Sequence, residues 1–149
     1  MEKLLKTFNL KPDNLLHIAW IQAIIATLAS LYASEIAHFP PCVLCWYQRI
    51  FMYPLVFIIP IAIQIKDKKN LPYFVIPMAA IGSLIGVYHN LLYWKILPES
   101  AAPCINGVSC TTKFIEFYGF ITIPFLSLLA FLVILTSMFA YHKISNTKK

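Results

Sequence analysis

The chain reads as an all-α integral membrane protein: a four-helix transmembrane bundle with both termini in the cytoplasm and two extracytoplasmic loops, each carrying a cysteine pair. Three observations predict this. Of 149 residues, 60% are hydrophobic and only 12% are charged, with a mean hydropathy of +0.73, far too apolar for an ordinary soluble domain. Four runs free of charged residues, 18–34, 50–65, 71–88 and 117–141, each reach roughly 20 residues with their helical flanks, enough to cross ~30 Å of hydrocarbon. The positive charges, finally, fall on one side of those runs.

Span one, about 15–37, follows Lys3, Lys6 and Lys11. Those lysines would suit a signal peptide, but the apolar stretch exceeds the usual ~7–15 residues and ends in polar Glu35 and His38, so a retained span is expected. Span two, about 46–65, opens after Pro40-Pro41, which cannot continue a helix but suits the start of the next. Lys66, Lys68 and Lys69 separate it from span three, about 71–94, and Lys143, Lys148 and Lys149 follow span four, about 117–141. Nine of the twelve Lys and Arg therefore share one side, which the positive-inside rule makes cytoplasmic. Trp46-Tyr47 and Tyr93-Trp94 mark the outer interface, and Tyr73 and Tyr141 the inner one. Prolines 54, 60, 72, 77 and 124 lie in or at the start of apolar runs, a placement a bundle tolerates because neighbouring helices can satisfy the freed carbonyls. The connections leave no room for a soluble module, so residues 1–149 form a single membrane domain. The outer segment 95–116 carries Pro98, Pro103 and Gly107 and reads as an irregular loop, with a short amphipathic interfacial turn at 111–118. The net charge of +6 is mostly this orientation signal, with attraction to anionic membrane lipid, and requires no nucleic acid.

The four cysteines form two pairs, both on the outer side. Cys42 and Cys45, three residues apart at a helix start, share one face and lie within reach of a disulfide. The helix N-terminus favours a thiolate there, and Arg49, one turn beyond Cys45, adds a fixed cation to the same stripe. The plainer alternative is a structural disulfide or a buried pair of small side chains, but an arginine within a span is costly and usually has a task. His89 lies at a depth similar to that of Arg49, near Cys45, on the stripe Gly82, Gly86, His89, Tyr93. The Gly-x-x-x-Gly spacing allows close helix approach or leaves room for a flat ring. Structural alternatives are that Arg49 snorkels to headgroups and that His89 bonds a carbonyl across helices. His17, His38, His142 and Glu35 read as interfacial residues without a role. The second pair, Cys104 and Cys110, lies in a polar loop around Asn106-Gly107 that can reach a protein partner, and a disulfide closing so small a loop exchanges easily. Four cysteines can also bind zinc, but the second pair lacks zinc-ribbon spacing and an oxidising compartment favours disulfides, so no metal is expected.

Together, Pro41-Cys42-Val43-Leu44-Cys45-Trp46-Tyr47-Gln48-Arg49, Val87-Tyr88-His89, the loop cysteine pair and Phe117-Tyr118-Gly119 at the start of span four resemble the DsbB family of bacterial membrane disulfide oxidases, most closely the BdbC type of Gram-positive bacteria. The resemblance implies a protein dithiol:quinone oxidoreductase. Such an enzyme reoxidises an extracytoplasmic thioredoxin-like thiol oxidase (DsbA or BdbD type) and passes the electrons to a membrane quinone, ubiquinone or menaquinone. It also implies that Cys104 and Cys110 accept electrons from the partner, that Cys42 and Cys45 pass them on, and that Arg49 and His89 line the quinone site. The close Cys104/Cys110 spacing departs from the best-known members. Two other readings differ in kind. Vitamin K epoxide reductases share a four-helix bundle and quinone chemistry, with the order of the cysteine pairs reversed; a non-catalytic scaffold would carry the four cysteines as two structural disulfides.

The topology makes a direct prediction. After reduction, a membrane-impermeant thiol reagent should label both pairs in intact cells, whereas a cysteine introduced beside Lys68 should stay unlabelled. Protection of Cys104 or Cys110 would overturn the orientation.

Overall fold

The computed structural model describes residues 12–98 and 122–147. Helix α1, Pro12–Leu31, begins with proline at its first position and Asp13 in its first turn, where a missing N–H costs nothing and a carboxylate meets the positive end of the helix dipole. It widens into a π-helical turn, Tyr32–Ile36. His38 then takes a left-handed backbone (φ 55°), and Pro40-Pro41 prevents continuation. Cys42, extended at φ −71° and ψ 170°, is the N-cap of α2, Val43–Gln64. Lys66, at φ 60°, makes the left-handed turn that ends α2. Helix α3, Leu71–Tyr93, carries a proline in its first turn, and Lys95 (φ 56°) ends it in the same way as Lys66. Helix α4, Ile123–Thr147, is capped by Thr122, whose Oγ1 accepts from the Phe125 N–H at 3.4 Å.

All four helices are long and apolar enough to cross a membrane, the all-α class expected. Consecutive helices pack on one another and α4 closes back onto α1, so the four form a ring in which α1 adjoins α2 and α4, and α3 adjoins α2 and α4. Phe131, Leu16, Leu55, Ile59, Val75, Ile134 and Met138 fill the interior. Leu28, Phe57, Ile61, Phe74, Leu84 and Phe139 point outward and are exposed. A helix apolar on every side suits a bundle whose outer solvent is hydrocarbon.

Lipid tails are as apolar as leucine, so close backbone approach and internal polar contacts must hold such helices together. Gly82 provides that approach: any Cβ there would run into the ring of Phe131 on α4. At Gly86 a Cβ would lie 3.3 Å from Leu128 and 3.4 Å from Gln48 Nε2, tight but open. The polar contacts repair specific breaks in the backbone. Pro60 has no N–H for the Val56 carbonyl, and the indole Nε1 of Trp20 on α1 donates to that oxygen at 3.0 Å. Asn90 Nδ2 donates to Gly86 O at 2.7 Å and across to Pro124 O at 3.1 Å, tying α3 to the first turn of α4.

The two ends of the bundle differ. At one, Lys68 pairs with Asp13 at 2.8 Å and Tyr73 meets His142 edge-on at 5.4 Å between ring centroids. The ion pair is partly exposed and contributes at most ~1 kcal/mol. At the other end lie Cys42, the end of α3 and the start of α4. The loop cysteines Cys104 and Cys110, the expected interfacial turn at 111–118 and the terminal lysines 3, 6, 11, 148 and 149 fall outside the described residues.

The Gly82–Phe131 contact makes a prediction. Phe131 is completely buried and has nowhere to retreat, so Gly82→Ala should destabilise the bundle by about 1–3 kcal/mol. Gly86→Ala, which needs only a few tenths of an ångström from Leu128, should cost less. Unfolding of the two variants in detergent micelles ranks them; equal midpoints would show that the α3–α4 seam is not held by Gly82.

Candidate functional site

The break between α1 and α2 builds the site. Pro40-Pro41 ends one helix and Cys42 caps the next, so the Cys42 sulfur sits among the unpaired amides of an N-terminus, where it accepts from the Cys45 N–H at 3.3 Å. The thiols of Cys42 and Cys45 lie 2.8 Å apart. From α3, Nε2 of His89 reaches to 3.7 Å from the Cys42 sulfur. Cys42 is 6% and His89 2% exposed, a thiol and an imidazole withdrawn together from solvent; Cys45 is half-buried. The Cys42 thiol, just before the span, is pulled below the ordinary thiol range, chiefly by the hydrogen bond from Cys45 and also by the hydrogen bond and charge of His89, against burial, which opposes it. In the reduced pair the negative charge therefore rests on Cys42.

Arg49 is one turn along α2 from Cys45. Its Nε donates to Ser30 Oγ and its Nη2 to the Ser30 carbonyl, both at 2.9 Å, and its guanidinium stacks on Trp46 at 5.4 Å from the ring centroid. Two charge-assisted hydrogen bonds and a cation–π contact hold the cation inside the bundle rather than out among headgroups. Ser30 presents its carbonyl in the last turn before α1 widens, so the π-helical turn and the arginine occupy the same level.

Cys42, Cys45, Arg49 and His89 line one cavity of about 440 Å³, enclosed by α1, α2, α3 and the start of α4. Its walls are apolar, with Ile25, Ala26, Met52, Leu126 and Ala130 among them. The structure thus brings together every site residue expected in the described segments. His89, on the buried stripe Gly82, Gly86, His89, Tyr93, lies near both thiols: its Nε2 is 3.7 Å from the Cys42 sulfur and within 4.8 Å of the Cys45 sulfur. Cys104 and Cys110 lie outside the described residues.

Two residues lining the cavity were not singled out from sequence. Ser30 anchors Arg49. Gln48 is 5% exposed, lines the cavity, and its Nε2 has no hydrogen-bond partner among the described residues. A buried amide donor without a partner costs about 1–3 kcal/mol, so a group that occupies the cavity and accepts that bond is favoured. The signal was present in both cases: a polar residue standing in an apolar run.

Comparison with known proteins follows the same lines. Residues 12–141 match the family model described as disulfide bond formation protein DsbB. The chain is 49% identical over 123 residues to disulfide bond formation protein C of Bacillus subtilis, covering 83% of this chain and 88% of that one. It is 48% identical over 130 residues to the probable disulfide formation protein C 1 of Bacillus anthracis, covering 87% and 92%. It is 42% identical over 134 residues to the probable disulfide formation protein of Oceanobacillus iheyensis, covering 87% and 90%. No solved structure matches the chain.

Proposed function

The chain belongs to the DsbB family of disulfide bond formation proteins, and from that premise we propose that it is a protein dithiol:quinone oxidoreductase of the cell membrane, its redox cysteines facing the extracytoplasmic side. In this reading it reoxidises a thioredoxin-like thiol oxidase and so sustains disulfide formation in exported proteins. The observation that carries the proposal is the single cavity on which a Cys-x-x-Cys pair, an anchored arginine and a buried imidazole converge.

The reaction balances as two successive exchanges and one reduction. The reduced partner's thiolate attacks the Cys104–Cys110 disulfide at Cys104, and closure of the partner's own disulfide leaves Cys104 and Cys110 as the dithiol. Cys110 then attacks the Cys42–Cys45 disulfide at Cys42. Regeneration of the loop disulfide delivers two electrons and two protons to the membrane pair. The fall in potential must come from beyond these disulfides: thioredoxin-like oxidants lie near about −120 mV at the oxidising extreme, so another disulfide alone is barely downhill. A membrane quinone held between Arg49, His89 and Gln48 would supply that fall in potential as acceptor of two electrons and two protons.

The cavity fits such a ring. Its volume lies within the ~300–1,000 Å³ of small-molecule sites, its walls are apolar, and its polar groups are a cation, an imidazole and the unpartnered amide of Gln48. Arg49, locked on Ser30, would offer positive charge to the negative charge that develops on ring oxygens, and a fixed cation acts more strongly in a dry site than in water. His89 can hold or deliver a proton at Nε2, beside the Cys42 sulfur. Cys45 lies on the same stripe as Arg49 and is the sulfur placed to react toward the membrane. Gln48 can donate to a ring carbonyl through Nε2.

The order of transfer is tested by a trap. In a Cys110→Ser chain the Cys104 thiolate can still attack the disulfide of the oxidised partner, and with no Cys110 to reclaim Cys104 a mixed disulfide between Cys104 and the partner should accumulate on non-reducing gels. A trapped species through Cys42 instead would leave the loop pair a structural staple, and cysteines inert to a reduced thioredoxin-like partner would favour the scaffold reading.

The ring site is tested separately. Arg49→Lys keeps a charge but loses the planar fork that grips Ser30. Losing one charged hydrogen bond is worth roughly 1.5–3 kcal/mol, on the order of 10- to 100-fold in quinone reduction at limiting quinone, while exchange between the partner and Cys104 persists. Gln48→Leu, which removes a neutral donor, should cost less, about 0.5–1.5 kcal/mol. If Arg49→Lys and His89→Ala both left steady-state quinone reduction unchanged, the two residues would revert to structural roles.

A further inference from the structure

The contact between His89 and Cys42 has a use apart from electron transfer. Two sulfurs and an imidazole nitrogen, Cys42 Sγ, Cys45 Sγ and His89 Nε2, all lie within 4.8 Å of one another. Two thiolates and one imidazole are the donor set of catalytic zinc sites of the Cys₂His kind, which keep a fourth position open. Soft sulfur donors with a nitrogen select thiophilic d¹⁰ cations over magnesium or calcium. We propose that, in the reduced protein, Cys42, Cys45 and His89 form a binding site for one such cation, Zn²⁺ foremost, and that the bound ion masks the dithiol.

The geometry is close to what an ion demands. Tetrahedral bonds of ~2.3 Å to sulfur and ~2.0–2.1 Å to nitrogen set S···S at roughly 3.8 Å and S···N at roughly 3.5 Å. The Cys42–His89 separation is 3.7 Å, near that value before any ion arrives. The sulfurs, at 2.8 Å, must part by about 1 Å to meet the same requirement. Cys45 is half-buried and borders the cavity, so its side chain has room to rotate, and the cavity offers space for a water in the fourth position.

Charge also balances. Two thiolates offset the two positive charges of the ion, so the complex adds no net charge to a site that already holds Arg49. Three ligands come from two helices, two at the start of α2 and one near the end of α3, so an ion would staple α2 to α3. The site exists only while both thiols are reduced, since a Cys42–Cys45 disulfide spends both sulfur donors. No electron moves on binding: the Cys45 S–H bond is given up, the Cys42 thiolate and the new Cys45 thiolate form two metal–sulfur bonds, and one proton is released. Binding is independent of the proposed oxidase activity, because reduced thiols and an imidazole ligate whatever accepts their electrons.

The experiment uses the full chain in lipid nanodiscs, reduced and desalted under anaerobic conditions, with Zn²⁺ titrated against a chromophoric chelator and Cd²⁺ followed by its thiolate charge-transfer absorbance. One ion per chain should bind, protect Cys42 and Cys45 from alkylation, and remain bound in a Cys104→Ser/Cys110→Ser chain. Cys42→Ser should abolish it. Outer-shell partners alone are worth 10- to 100-fold in metal affinity, so losing a direct ligand in His89→Ala should weaken Zn²⁺ by more than about tenfold. A trivalent arsenical, which needs only the two thiols, should bind His89→Ala as it binds the parent chain. If the alanine chain does not fold, His89→Phe fills the ring's place without a nitrogen and is read in the same way. Equal weakening of zinc and arsenical would make His89 a support for the thiols rather than a ligand and overturn the proposal. So would zinc binding that survives Cys42→Ser or disappears with the loop cysteines.

Discussion

In hydrocarbon no water stands ready to replace a lost backbone hydrogen bond, and that constraint shapes this bundle more than any other. It makes the chain helical wherever it meets lipid, and it demands a named partner wherever the helix is interrupted. Trp20 answers the carbonyl freed by Pro60. Asn90 reaches from α3 to the first turn of α4. Where α1 gives way to a π-helical turn and two prolines, the repair is made by the groups of the candidate site: Arg49 bonds the Ser30 carbonyl, and the Cys42 sulfur caps the first amides of α2. The end that carries the candidate site is thus also the end where, among the described residues, regular helix is broken by a π-helical turn and two prolines.

That coincidence gives Arg49 two tasks. A charged side chain within a span is costly, and its bidentate grip on Ser30 with the stack on Trp46 offsets much of that cost. The same grip stops the guanidinium from snorkelling, so the charge stays on the cavity wall. Gln48, one residue earlier, is left with an unpartnered donor among the described residues. One polar group fully engaged and one held in reserve is the pattern expected of a wall that waits for an occupant with acceptor atoms.

The Cys42–His89 approach admits two chemistries that exclude one another. With the pair reduced and uncovered, the imidazole and the Cys45 thiol hold negative charge on Cys42, ready for exchange. The same three groups, with the sulfurs slightly parted, are the donors of the proposed cation site. Reactivity toward disulfides and affinity for thiophilic metals both rise with thiolate character, so the first property brings the second with it once an imidazole stands as third ligand.

Class, span number and the Cys42/Cys45 pair at a helix start were legible from the amino-acid order alone, because each depends on local quantities. Twenty apolar residues make a span whatever they pack against, the lysine asymmetry is a count, and Pro40-Pro41 before Cys42 forces a helix start. The family was legible too, since its motifs, Cys42 to Arg49 above all, stand on short continuous segments, and residues 12–141 match the DsbB family model. What lay beyond reach were contacts between helices. Depth alone put His89 near Cys45; only the packing of α3 on α2 shows that its Nε2 also stands 3.7 Å from the Cys42 sulfur. Ser30 and Gln48 were two more polar residues in apolar runs, until α1 and α2 packed so that one held the arginine and the other faced a cavity. A sequence states which groups a helix carries; only the packed bundle decides which of them meet.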